Sequence, residues 1–322
     1  MTQEEACRVP VEADFDLNFA DLVRKFGSDV PAIIQWCRKY GLLAENLLCS
    51  ICQAHCKEQI GISCRDGVRW RCSNTKCRKI FNIRKGSFFE KSHLSLFQII
   101  ALVYWWCADS RKGHGLSNDR LMTELRIGSC HTVVDWHQFC RDVTVDYFVC
   151  HPQQIGGPGI VVEIDKIQIP KRKNNVGRII PQKWILGGYE RESKLGFLVE
   201  VPKRNSATLL PFITKWVAPG SVVWANKWKT YNQLQRQVAK QQDSADGIEN
   251  NLIKFVNPES GISNVKAMWK RVKSMLRPMV GPTRKEHLTD YLSEFMWYQR
   301  FQDNTFFHFW TQVAEIYDVQ NP

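Results

Sequence analysis

An α/β fold with a mixed five-stranded sheet, preceded by a zinc ribbon and a helical segment, is predicted by three observations. Six of the twelve cysteines fall between Cys49 and Cys77. Residues 94–143 then place apolar side chains at helical spacing. From residue 160 the pattern changes to strands, in the order three strands, helix, strand, helix, strand, helix.

Composition narrows the class. The chain has 322 residues, 44% hydrophobic and 11% aromatic, so it is neither disordered nor collagen-like. At about 150 residues per domain, that length suggests two domains. No apolar run approaches the roughly 18 to 20 residues of a membrane helix; the densest is 99–106. The acidic start, 2–16, has neither the basic region nor the apolar core of a signal peptide. The expectation is a soluble, intracellular protein, nuclear if the host is a eukaryote, without a membrane partner. The net charge of +12 favours an anionic partner. That charge is not uniform. Residues 57–91 hold ten basic and three acidic residues, and 160–204 hold ten and five.

The elements are justified in order. Residues 1–47 read as an N-terminal helical segment. Residues 48–90 read as a zinc ribbon, in which Cys49-x2-Cys52 makes one knuckle and Cys72-x4-Cys77 a second. Four thiolates satisfy tetrahedral zinc with no open position, so the metal would be structural and would stabilise a segment too small to fold alone. The x4 spacing is loose, and His55, Cys56 and Cys64 compete as ligands. Buried thiols without metal are the plainer alternative. Arg65, Arg69, Arg71, Lys76, Arg78, Lys79, Arg84 and Lys85 suit phosphate contacts.

Residues 91–151 form a helical segment. Residues 94–107 predict a buried helix. Ser117 caps a helix through Leu121, Leu125 and Ile127, Gly128 turns, and Ser129 caps a longer helix with Val133, Val134, Trp136, Phe139 and Val143. This is the outline of a helix-turn-helix unit, although the second helix is poor in basic residues. An ordinary helical hairpin fits as well. Residues 152–159, rich in Gly and Pro, are a linker.

Strands are predicted at 160–169, 183–189, 195–201, 221–225 and 252–256. Helices are predicted at 206–217 (capped by Ser206), 228–239 and 262–276, with a last amphipathic helix marked by Tyr291, Phe295 and Tyr298 and ending near Phe301. Residues 303–322 read as a tail. The order within 160–302 is that of the ribonuclease-H-like fold. Two-metal catalysis in that fold needs carboxylates on strand one, at the end of strand four and on a late helix, holding two Mg²⁺ about 4 Å apart. Strand one supplies Asp165, with Glu163 on the same face. The other two places hold Asn226 and Lys266. Trp105, Trp106, Trp184, Trp216, Trp269 and Trp297 lie in apolar periodic segments and are assigned to the core.

The residues Val162-Glu163-Ile164-Asp165, Lys171-Arg172-Lys173-Asn174, Gly177-Arg178 and Trp184-Ile185-Leu186-Gly187-Gly188 resemble the ISXO-like DDE transposase domain of bacterial insertion sequences and eukaryotic Merlin transposons. Leu209-Leu210-Pro211, Pro219-Gly220-Ser221, Phe255-Val256-Asn257-Pro258 and Trp269-Lys270-Arg271-Val272-Lys273 continue the resemblance. The knuckles and the run 81–89 are similar to that family's ribbon and its exit. The resemblance spans about 17–300.

It implies double-stranded DNA as partner, ancestrally at terminal inverted repeats, and Mg²⁺-dependent cut-and-paste strand transfer by an Asp-Asp-Glu triad. Carried over, the first Asp is Asp165. The second falls on Asn226, within Asn226-Lys227-Trp228, and the third on Lys266. Lys166 stands where the family often has Glu, and the family's His is absent from Glu249-Asn250-Asn251-Leu252. An intact triad carries −3, whereas these three positions sum to zero, a poor site for two divalent cations. Lys266 is expected to pair with Asp165.

The sequence therefore predicts a transposase-derived, catalytically inactive DNA-binding protein. Asp165 is its catalytic remnant; Cys49, Cys52, Cys72 and Cys77 hold structural zinc. Arg69, Arg71, Arg78, Lys79, Arg84, Lys85, Lys171, Arg172, Lys173 and Arg178 contact DNA. Alternatives are an active Mg²⁺-dependent transposase, its site rescued by Glu163, Asp243, Asp246, Glu249 or Glu259, and a protein-interaction module. Lys171-Arg172-Lys173 also reads as a nuclear-import signal or a solvated turn, and a homodimer is left open.

Overall fold

The computed structural model describes residues 12–61, 64–109, 116–169, 183–225, 254–256, 262–276 and 287–319. The expected basic hairpin at 171–178, the helix at 228–239, Asn226 and the acids at 243–259 lie outside them. The chain divides into two compact units, 1–146 with 301–322, and 147–300.

In the first unit, helix α1 (Phe19–Phe26) starts with a capping box, in which the Asn18 side chain accepts from the Asp21 N–H and Asp21 answers from its carboxylate. Helix α2 (Val30–Lys39) is capped by Asp29 and buries Ile33, Ile34, Trp36 and Cys37. Three antiparallel strands follow, β1 (Cys56–Ile60), β2 (Val68–Cys72) and β3 (Ile80–Asn82). Helix α3 (Leu96–Asp109) is apolar nearly all round, and Ile99 to Val103 are fully buried. Helix α4 (Asn118–Leu125) is capped by Ser117 as expected. It ends at Arg126, which is left-handed, so the turn begins before the expected Gly128, and helix α5 (Cys130–Cys150) follows.

The residues expected to form a tail contain a helix instead, Thr305–Ile316. It buries Phe306, Phe309, Trp310 and Val313, which recur at helical spacing, and Trp310 meets Trp36 and Phe89. The Thr305 hydroxyl donates to the Cys107 carbonyl at 3.2 Å, tying this helix to α3.

The second unit is a mixed α/β domain. Its strands are β4 (Val161–Ile169), β5 (Lys183–Glu190), β6 (Gly196–Val201), β7 (Val222–Ala225) and β8 (Lys254–Val256). They lie in the order β6-β5-β4-β7-β8. The first three form an antiparallel meander, and β7 and β8 add in parallel to β4. Helix α6 (Ser206–Trp216) is capped by Asn205, one residue before the expected Ser206, through a 3.0 Å bond from the Thr208 N–H. Helices α7 (Asn264–Leu276) and α8 (Leu288–Arg300) complete the unit, and the helix at 305–316 is hereafter α9.

Side chains alternate across a sheet, so Gly187 and Gly188 face opposite sides. A methyl group on Gly187 would come within 2.6 Å of the Trp269 ring of α7. One on Gly188 would come within 2.2 Å of the Phe197 ring, which is itself stacked on Trp216 of α6. This glycine pair lets an aromatic ring lie flat against each face of the sheet. Trp106, Trp269 and Trp297 are buried as expected, while Trp105, Trp184 and Trp216 are half-buried.

Gly187→Ala is expected to lower the stability of this unit by about 1–3 kcal/mol through overpacking, measured as a lower urea midpoint at unchanged slope.

Candidate functional site

The site in the second unit is built from β4 upward. Glu163, Asp165 and Ile167 share the face of β4 turned to α7. Glu163 is fully buried. Its carboxylate accepts from the Asn264 N–H at 2.8 Å, the Asn264 Nδ2 at 2.8 Å and the Val265 N–H at 3.0 Å, with Arg191 Nε 3.6 Å away. Those backbone donors open α7, where a helix has no internal acceptors and its dipole favours an anion. Glu163 is thereby committed to capping, which removes it from the acids able to rescue a metal site.

Asp165, two residues on, is half-buried and pairs with Gly187 across the sheet. Burial pushes its carboxyl above the ordinary range. A backbone hydrogen bond at Lys166 and the charges of Lys266, Lys166 and Lys273 act in the opposite direction. Lys266 stands exposed on the first turn of α7. The expected direct Asp165–Lys266 ion pair does not form: among the described residues Asp165 has no ion-pair partner, and Lys266 acts on it through space. Lys166 points to the other face and donates to the Arg204 carbonyl at 3.5 Å. Burial, followed by the Arg204 charge, brings its ammonium down to about 8.

These residues do not fit a pair of Mg²⁺ ions. Hard divalent cations require several oxygens, mostly anionic. Among the described residues this face offers one desolvated carboxylate with three lysines in electrostatic reach, and its other carboxylate is spent on a helix terminus.

The second candidate site is in the other unit. The sulfurs of Cys49, Cys52, Cys72 and Cys77 all lie within 4.8 Å of one another, with Cys49···Cys77 at 3.6 Å and Cys52···Cys72 at 3.4 Å. Zn–S bonds of about 2.3 Å in a tetrahedron require S···S edges of about 3.8 Å, so the cluster has the size of a zinc site and can hold such a metal. Both knuckles turn alike. The residue after each second cysteine, Gln53 and Arg78, is left-handed. The two extra residues of the second knuckle are absorbed by a turn in which Asn74 Oδ1 accepts from the Lys76 N–H at 2.9 Å. At Cys49 burial raises the thiol, but the Ile51 and Cys52 N–H groups and the Cys77 and Cys52 thiols outweigh it and bring it down to about 6. His55, Cys56 and Cys64 stand outside the cluster.

The sheet attached to this cluster has two unlike faces. Trp70, Cys72 and Phe81 look inward, and Arg38 of α2 stacks over Trp70 while bonding Glu58. Strand register puts Lys57 beside Arg71, and Gln59 and Asn82 beside Arg69, on the opposite face. Arg78 and Lys79 are exposed near its end. Among the described residues none of Lys57, Arg69, Arg71, Arg78 and Lys79 has an acidic partner. Lys85 lies over the Phe81 ring at 4.2 Å.

Arg84 corrects the sequence reading. It is 2% exposed, grips Asp66 through two bonds of 2.7 and 2.6 Å, and donates to the Leu94 carbonyl at 2.8 Å. It holds the chain that leaves the three-stranded sheet and cannot reach a phosphate. Helix α5 is also unlike a phosphate-binding helix. Its only arginine, Arg141, is buried against Gln138, and Asp135, Asp142 and Asp146 are exposed.

Residues 164–300 match the family model described as the ISXO2-like transposase domain. No curated protein matches the chain. Among solved structures it is similar to the HTLV-2 integrase catalytic core domain in complex with magnesium, with a TM-score of 0.30 and 10% identity over 45% of this chain and 88% of that one. It is also similar to the simian T-cell lymphotropic virus intasome in complex with the PP2A regulatory subunit B56γ, with a TM-score of 0.30 and 12% identity over 56% and 68%. No helix among the described residues is long and apolar enough to cross a membrane.

One zinc per chain is expected by elemental analysis of the purified protein, lost in Cys72→Ser and retained in Cys56→Ser and Cys64→Ser; chelation should shift the fluorescence of Trp70. Arg84→Ala is expected to cost about 3–5 kcal/mol by stranding the Asp66 charge. Arg71→Ala, at a half-buried position without an acidic partner, should cost no more than about 1 kcal/mol. Both are read by chemical denaturation.

Proposed function

We propose that this chain, whose residues 164–300 form an ISXO2-like transposase domain, is a transposase-derived protein that binds double-stranded DNA and no longer performs metal-dependent strand transfer. The observation that carries the reading is the face of β4. Glu163 is consumed as a helix cap, Asp165 is desolvated, and a lysine stands on α7 where the resemblance places the third acid. The Asn226 position, outside the described residues, is not acidic either.

DNA binding is assigned first to the ribbon. Its outward face presents Arg69, Arg71 and Lys57, with Arg78 and Lys79 near its end, and pairs none of them internally. Uncompensated cations on a rigid three-stranded sheet suit a polyphosphate backbone, with structural zinc at the four cysteines keeping the sheet in shape. Lys171, Arg172, Lys173 and Arg178 belong to the same reading. The α4–α5 hairpin contributes less than the sequence suggested, because its exposed face carries acids. Nuclear location belongs to the proposal if the host is a eukaryote, and a homodimer is left open.

The test is a cleavage and joining assay on labelled duplex with Mg²⁺ or Mn²⁺. Wild type is expected to leave the duplex intact while binding it, with log affinity falling linearly in log salt. Metal-dependent cleavage by wild type that vanishes in Asp165→Ala would overturn the loss of chemistry. A flat salt dependence would favour a protein-interaction module.

A further inference from the structure

Helix α7 carries Lys266, Lys270 and Lys273 at i, i+4 and i+7, which aligns them along one stripe. Val265, Met268, Trp269 and Val272 are buried in the core of the unit, so the lysine stripe is the solvent-facing one. Like charges at this spacing weaken a helix. The first turn of α7 holds no acid, and none of the three lysines has an acidic partner among the described residues. Two carboxylates lie near this helix: Glu163, spent on its first N–H groups, and Asp165, in electrostatic reach of Lys266 and Lys273. Three cations are thus held in a self-repelling row, with Glu163 committed to the helix terminus and Asp165 forming no ion pair with any of them.

Resting on the reading of the chain as a DNA-binding protein, we propose that this stripe grips the phosphate backbone of duplex DNA directly and without divalent metal. The ammonium groups take the electrostatic place of the ions such a site would otherwise hold, and Asp165 opposes binding. The dimensions agree. Seven residues of helix advance about 10.5 Å. With the reach of the lysine side chains added, a stripe of that length can meet up to about three phosphates of one strand. Glu163 contributes indirectly, as a positioning residue that pins the start of α7 to β4.

The experiment uses the full chain and a labelled duplex, followed by fluorescence anisotropy over a salt series, with EDTA or with Mg²⁺ at matched ionic strength. Wild type should bind as well in EDTA as in Mg²⁺. The triple variant Lys266→Ala/Lys270→Ala/Lys273→Ala should weaken binding by at least about tenfold and reduce the log–log salt slope by up to about 2.7, roughly 0.9 per phosphate contact. Asp165→Asn should tighten binding by roughly threefold, the size of one screened charge contact. Triple replacement by arginine should preserve affinity, which separates charge from damage to the helix. Arg69→Ala/Arg71→Ala is the parallel probe of the ribbon. If wild type binds but only the ribbon variant weakens it, the α7 proposal falls and the functional reading stands. If Asp165→Asn abolishes an Mg²⁺-dependent affinity, the proposal falls in favour of a metal site. If wild type shows no duplex affinity at low salt, the functional reading falls with it.

Discussion

The buried carboxylate of Glu163, held by the opening N–H groups of α7, is the contact on which the second unit depends. A carboxylate taken out of water is tolerated only when its lone pairs are satisfied, and here two backbone donors, an amide and an arginine surround it. The contact ties the central strand of the sheet to a helix more than a hundred residues later. It also fixes which turn of that helix lies beside which strand residue. Because strand side chains alternate, Asp165 falls on the same face, and the first turn of α7 brings Lys266 into its field. Fold and site are therefore set by one interaction. Gly187 completes the arrangement, since only a position without a Cβ lets the Trp269 ring come down onto the sheet beside Asp165.

Electrostatics then decides what the site can hold. Two divalent cations need a surplus of anionic oxygen, and a surplus of lysine repels them. Desolvation acts in the same direction, because it penalises the charged form of the only uncommitted carboxylate on this face among the described residues. The replacement of acids by Asn226 and Lys266 is thus more than a loss of ligands. It takes the formal charge of the three positions from −3 to zero, which removes the anionic surplus that two divalent cations require.

Much of the second unit is legible in the sequence. Alternation in β4 to β6 gives strand positions within a residue or two of those observed, because these strands are long and half their side chains are buried. The cysteine spacing likewise identifies the four sulfurs that cluster. What escapes is any role set by a distant partner. Nothing local distinguishes Arg84 from Arg71, yet one is sealed against Asp66 and the other faces outward. The cap role of Glu163 is equally invisible, since its partners lie on α7. Helix α9 is a different kind of miss. Phe306, Phe309, Trp310 and Val313 carry the helical period in plain view, and their place at the end of the chain obscured it.

The basic excess of the chain accordingly divides into charges with different physical meaning. Arg84 and Arg141 are buried, and Arg38 is paired with Glu58 over Trp70, so each serves the packing of its own unit. Lys57, Arg69 and Arg71 on a sheet face, and Lys266, Lys270 and Lys273 on a helix face, have no such use among the described residues. Rows of like charge add self-repulsion to the folded state, and exposed surface could be made soluble more cheaply by mixing signs. Strand alternation produces one row and helical periodicity the other. That two unrelated local geometries each present an uncompensated cationic row argues for a shared anionic partner more strongly than the net charge of the chain does.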